Sequence, residues 1–451
     1  MVSGVDRFAN YPLPASKQAP AENQEYWYLL SITILLFGIH STASIDIGQN
    51  ITIPFALSFL VASFSYIFIL KKLNATHSSP ILVFLFLVFF VNIISYSSLY
   101  SSLYFLGPLQ LLYSFIIAIS AYILLFSIRL NLLQKWLFVM TTVITFLSVL
   151  ELNPFVASSF NGITEFLTSN ADLGTAFSAS EARDLALHGA VRSKVFATEP
   201  SHTALTLTAI GFGFFWTRPR WQLVVGWMVL ILICIWTIRS PILVVTLLLG
   251  PALSLMVRET KGRVAQLLIG GIFLFAFAFV VSDYVLVMFG SRIDTGGMSD
   301  GSFDMRFTVP LQFTNDFLPG HIVYGVGIVG DFDMLTYEIL AAYHERGMRY
   351  IDYSNASNSL SNNLAQHFIS FGLIFGVITL ISLAFVARMR SGRIWLMVCV
   401  ECLTIWMFLG GYVAARVWVL CALILAVARR AQLEQADNMN AARIERSHFN
   451  A

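Results

Sequence analysis

Charged side chains are scarce in this chain. Asp, Glu, Lys and Arg make up 12% of its 451 residues, where a soluble protein carries roughly 25%. That shortage excludes a soluble globular enzyme and an intrinsically disordered chain. Cysteine is scarce as well. Cys234, Cys399, Cys402 and Cys421 are the full set, and all fall in apolar stretches. A disulfide-stapled secreted domain is therefore excluded. Cys399 and Cys402 form a C-x-x-C on one helical face, with no further metal ligand nearby in sequence, and read as structural. No cleavable signal peptide is expected. Residues 1–25 are polar, carry Pro12, Pro14 and Pro20, and lack a short apolar core before a small-residue cleavage site.

What the chain has in abundance is apolar surface. Hydrophobic residues make up 57%, with 39 Phe, and the mean hydropathy is +0.75. A spanning helix needs about 20 mostly apolar residues, at about 1.5 Å rise each, to cross about 30 Å of hydrocarbon. About twelve stretches qualify, near 26–45, 51–70, 81–97, 103–128, 136–151, 200–216, 221–237, 241–257, 264–289, 365–387, 394–409 and 411–428. They are continuous rather than alternating, so helices are expected and not barrel strands. The expected fold is all-α and polytopic, a single membrane domain over residues 1–451.

Basic residues orient these spans. With the N-terminus inside, 18 of the 27 Lys and Arg fall on the inner side and 9 on the outer side or its edge. The bias places both termini in the cytoplasm. Two connections are long, and both fall outside: 152–199 and 290–364. Loops of that length are functional or disordered. Both read as ordered, because Ser180–Lys194 and Tyr337–Tyr350 show helical patterning. The second loop carries four Arg against nine acids. An anion bound there must be held by individual guanidinium groups rather than by a diffuse field.

Several residues could carry chemistry. Arg239, in TIRSPILVV, lies at the outer end of a span, and Arg416, in GGYVAARVWVL, lies a turn into the last one. A charge at that depth must reach water or a partner, so each either snorkels or faces an outward-open cavity; Arg416 could also pair with Glu401. Arg192 opens the run RSKVFATEPSH, in which Thr198 could cap a helix with Pro200 near its first position. Glu199 would then stand at the mouth of the bundle, as a general base or a sugar ligand. Arg306 follows in DMRF, ahead of the glycine-rich YGVGIVG. Asp331 and Asp333 have the D-x-D form of some metal-binding transferases, but in so acidic a loop no metal is assigned. His367 stands at the outer start of a late span, and an unperturbed imidazole, with a pKa of about 6.5, suits base catalysis.

In order and topology these pieces resemble the Wzy-type O-antigen polymerases and the related O-antigen ligases. The matching segments are Arg192 to Ser201, the I-R-S-P edge at Arg239, Arg306 followed by Y-G-V-G, the run SNNLAQHFISFGLIFG, and A-R-V-W at Arg416. The family often shows His-Asn ahead of its late Gly-Leu-Ile-x-Gly helix. Here Ser361-Asn362 stands in that place and His367 lies further on. The resemblance implies a GT-C-like glycosyltransferase that needs no metal or other cofactor. It would polymerise glycan repeats carried on undecaprenyl pyrophosphate at the outer face of a bacterial inner membrane. Arg192, Arg239, Arg306 and Arg416 would bind pyrophosphate, and Glu199 or His367 would act on the acceptor. A chain-length regulator is an expected partner, and nucleic acid is not. A ligase acting on the same donor, or a carrier of lipid-linked sugars, are the alternatives.

Overall fold

The structure is a computed structural model. It describes residues 22–46, 52–69, 90–94, 106–168, 181, 184–185, 191–257, 304–328, 332, 335–348 and 359–449. The expected spans at 264–289 and, apart from helical residues 90–94, at 81–97 lie outside them.

The described chain is helical, apart from one antiparallel pair in which Ile45 faces Ile53 and Asp46 faces Thr52. The helices are α1 (Glu22–His40), α2 (Ala56–Ile69), α3 (Leu106–Phe126), α4 (Leu130–Leu150), α5 (Pro154–Thr168), α6 (Pro200–Trp216), α7 (Trp221–Ile238) and α8 (Pro241–Val257). They continue with α9 (Val309–Phe317), α10 (Thr336–Glu345), α11 (Asn363–Ser391), α12 (Trp395–Phe408) and α13 (Ala415–Phe449). Four apolar segments are long enough to cross a membrane: Gly107–Phe126, Leu130–Leu150, Trp221–Ile238 and Asn363–Met389. Shorter apolar stretches lie at Ala56–Ser65, Pro241–Ala252 and Trp395–Phe408. The chain is a helical, membrane-embedded protein.

α6 is the central helix. Nearly all its side chains are buried, from Thr203 to Trp216. A helix apolar all round belongs inside a bundle. α13 packs along both α3 and α6. At 35 residues it runs about 50 Å, well beyond the hydrocarbon thickness, and its polar half begins at Arg429. Hydroxyls inside helices mostly bond back to the preceding turn, as Thr141 does to Leu137 O and Thr208 to Ala204 O. Others cross between helices, as in Ser148–Thr237 and Thr208–Thr246, at 2.9 and 2.7 Å. Where water is absent, such polar groups must be satisfied within the protein.

The connections sort to two ends. At one, Glu25 of α1 holds Arg129 at 2.7 Å, Gln134 donates to Thr217 and Arg218 donates to Gln435. At the other, Ser114 of α3 donates to Val413 O and Arg416 of α13 reaches the last carbonyls of α1. The expected site residues Arg192, Glu199, Arg239, Arg306, His367 and Arg416 lie toward the second end or in the loops attached to it.

The first long connection holds a helix that the sequence reading did not expect, and the second holds the one that it did. Within 152–199 the helix is α5, which the patterning missed, while most of the expected helix at 180–194 falls outside the described residues. Within 290–364 the expected helix is seen as α10, joined by α9 and the turns flanking it. These elements close over a small core of their own, including Val309, Phe313, Ile339, Tyr343 and Leu360.

α11 is not continuous. Gly372 sits at φ 73°, ψ −173°, which divides the helix in two. The segment His321–Gly327 fills the break. Val326 and Gly327 donate to Ile369 O and Ser370 O of the first half, at 3.1 and 2.9 Å. Leu373, Ile374 and Phe375 of the second half donate to His321, Ile322 and Val323 carbonyls, at 3.3, 2.9 and 3.3 Å. The helix ends exposed by the break are thus satisfied by one inserted strand of loop. A Cβ at Gly325 would lie 2.0 Å from Ile369 O, so only glycine permits the approach.

Candidate functional site

The site begins with the start of α6. Pro200 takes the first helical position and Glu199 is the N-cap, with extended φ −138° and ψ 148°. The sequence reading gave that place to Thr198. Thr198 instead bonds through Oγ1 to Nδ1 of His202, at 3.0 Å. The Glu199 side chain makes no cap bond. It accepts from Ser201 Oγ at 2.9 Å and faces Arg306, whose Nη2 lies 3.7 Å from Oε2. Glu199 is 55% exposed and Arg306 22%. A pair that open is worth about 0–1 kcal/mol, so a stronger anion can displace it.

Arg306 is held by its main chain. It lies in a single π-turn, Asp304–Thr308, ahead of α9. Asn362, the N-cap of α11, accepts from Ala365 N at 3.1 Å and donates from Nδ2 to Arg306 O at 2.7 Å. Ser361 N donates to Met305 O beside it. One residue thus caps a helix and fixes the origin of the guanidinium.

The loop before Glu199 is locked with equal care. Val195 and Phe196 both adopt positive φ, 48° and 64°, a costly state for a β-branched or aromatic residue. Glu151 accounts for it. Its Oε2 accepts from Ser193 Oγ at 2.5 Å, Lys194 N at 2.9 Å and Val195 N at 2.6 Å. Burial pushes the Glu151 carboxyl above its ordinary value, against those donors and Lys194. Burial likewise holds the Lys194 ammonium down, against Glu181, Glu151 and Asp184. On the other side His40 Nε2 bonds to Val195 O at 2.6 Å.

The six expected site residues separate. Glu199 and Arg306 come together. His202 lies within electrostatic reach of both, and of Arg416 and His40. Arg192 pairs with buried Asp184 at 2.7 Å and also donates its main-chain N–H to that carboxylate, which ties down the loop. Arg416 is 5% exposed. It donates to Ile39 O at 3.2 Å and Thr42 Oγ1 at 2.5 Å, and stands 5.9 Å from the Phe55 ring. The expected alternative partner, Glu401, instead accepts from Trp216 Nε1 at 2.7 Å. Arg239 is the C-cap of α7 in the left-handed region, and its Nε reaches Trp236 O at 3.4 Å. A bond from Ser193 N to Thr237 O brings the end of α7 beside the same loop.

His367 is fully buried in α11. Nδ1 meets Tyr412 Oη at 3.0 Å, and Nε2 meets Gly376 O and Thr379 Oγ1, each at 3.0 Å. Phe371, Trp406 and Tyr412 pack around the ring. Both nitrogens are occupied, so the ring braces the two halves of α11 and is not poised to take a proton from an outside hydroxyl.

Asp331 and Asp333 lie outside the described residues. Among those described, no group of three His, Cys, Asp or Glu is placed to hold a metal ion. His202, Glu151 and Asn362 carry parts of the site that the sequence reading gave no role. The Pro200 helix start pointed at His202, but Glu151 and Asn362 act across long loops that leave no local signal. No family model, curated protein or solved structure matches this chain.

Proposed function

We propose that this chain is a polysaccharide repeat-unit polymerase of the Wzy type, a glycosyltransferase of the bacterial inner membrane with about twelve spans, a GT-C-like fold and cytoplasmic termini. The Glu199 end of the bundle then faces the periplasm. The donor is a glycan on undecaprenyl pyrophosphate, the acceptor is a second lipid-linked repeat, and a chain-length regulator is a natural partner. The observation that carries this reading is the loose Glu199–Arg306 pair, a carboxylate and a guanidinium 3.7 Å apart that both reach solvent.

In this mechanism the donor pyrophosphate displaces Glu199 from Arg306. The freed carboxylate, kept in place by Ser201, takes the proton of an acceptor hydroxyl. The hydroxyl oxygen bonds to the anomeric carbon, the bond from that carbon to the pyrophosphate oxygen breaks, and its electron pair leaves with the pyrophosphate. Arg306 meets the charge as it develops. Arg239 would add a second cation from the end of α7, which Thr237 O ties to the loop before Glu199, while Arg192 and Arg416 hold backbone. Purified protein given defined lipid-linked repeats should make polymer. Release of free glycan, transfer to a different acceptor only, or movement of the repeats without bond formation would overturn the reading.

A further inference from the structure

α5 has a face that nothing among the described residues covers. Phe155 and Phe166 are 81% and 82% exposed, and Ile163 is 43% exposed. At 100° per residue the two Phe project about 20° apart, with Ile163 about 80° from Phe155. The opposite face is bound: Thr164 and Thr168 are buried, and Phe160 stacks on Phe196 with centroids 4.2 Å apart.

The direction of α5 follows from its ends. It starts directly after α4, through the turn Glu151–Asn153. It finishes beside the end of α1, where Ser44 N donates to Leu167 O at 2.8 Å and Ser44 Oγ to Thr168 O. α1 and α4 start side by side, where Glu25 holds Arg129, so their far ends, the two anchors, lie at one end of the bundle, and α5 runs across that end rather than along the membrane-crossing α4. Its uncovered face also continues an existing one. α4 exposes Val139, Val143, Phe146 and Leu150, and Leu152 in the turn carries that stripe on to Phe155.

We infer that α5 is an interfacial helix whose Phe155–Ile163–Phe166 face is sunk among the lipids of the Glu199-side leaflet. An apolar face lying in the boundary between headgroups and acyl chains is the physical signature of such a helix. Through Phe160 and Phe196 it sets the depth of the loop carrying Glu199. If the chain is the proposed polymerase, that depth is the level of lipid phosphates, where a lipid-linked pyrophosphate must lie; this clause alone rests on the functional reading.

The test places photoreactive benzoyl-phenylalanine at 155, 166 or 337 in the full chain, reconstituted in phosphatidylethanolamine–phosphatidylglycerol vesicles. Tyr337 is an aromatic control, 71% exposed on α10. Lipid adducts should dominate at 155 and 166 and be minor at 337. Equal yields at all three positions, or adducts only to a second protein chain, would overturn the inference. Phe155→Ser with Phe166→Ser should also lower polymer formation in vesicles. Lipid adducts without any polymer from the parent protein would leave the interfacial helix standing and remove the polymerase; polymer without lipid adducts would do the reverse.

Discussion

The side-chain amide of Asn362 donates to the main-chain carbonyl of Arg306 at 2.7 Å while its oxygen caps α11. Asn362→Asp keeps the cap acceptor and loses the donor, so helix stability should hold while Arg306 drifts. The expected outcome is a drop in polymer yield with little change in thermal unfolding. Asn362→Ala should lose both, at about 1 kcal/mol for the cap. Comparing the two variants by melting and by product length separates positioning from folding.

Among the four expected arginines, effects on chemistry should be unequal. Arg306→Ala should slow polymerisation about 100- to 1000-fold, the scale of removing one preorganised charge-stabilising group. Arg192→Ala and Arg416→Ala should instead lower stability, because each leaves buried acceptors unmatched. Arg239→Ala should fall between. Rates normalised to folded protein rank them.

His367 should behave as a brace. His367→Ala should cost about 1–3 kcal/mol of stability through its orphaned partners, read as a lower melting temperature. The activity of the fraction that remains folded should keep the parent pH profile. A lost base limb in that profile would return the base role to His367.

At Gly372 a Cβ would meet His321 O at 2.6 Å in a left-handed backbone. Gly372→Ala should destabilise the broken helix by more than about 1–2 kcal/mol, the conformational cost alone. Loss of protection in hydrogen exchange at 321–327 and 369–375 together would locate the damage. A melting temperature equal to the parent would contradict the inserted-strand account.

Much of the helical layout was legible because continuous apolar runs of about 20 residues mark helices. The expected span 200–216 coincides with α6 and 241–257 with α8, each opening on a proline at the first position. The break at Gly372 was not legible. Hydropathy runs unbroken through Gly372–Gly376, and only the dihedral angles reveal that another segment enters there. α5 was missed because its Ser, Thr and Asn dilute the apolar face, although Phe155 and Phe166 fall on one side at helical spacing. Arg306 and Glu199 were both singled out as separate motifs. Their pairing was invisible because residues far apart in sequence meet only once α6 and the turn before α9 are placed.

The most direct test of the Glu199–Arg306 site is an in vitro reaction of the purified chain with defined lipid-linked repeats, chelator present, comparing parent, Glu199→Gln and Arg306→Ala. The account predicts polymer and free undecaprenyl pyrophosphate from the parent, and near loss of both in each variant without loss of fold. Full-length polymer from either folded variant would contradict it.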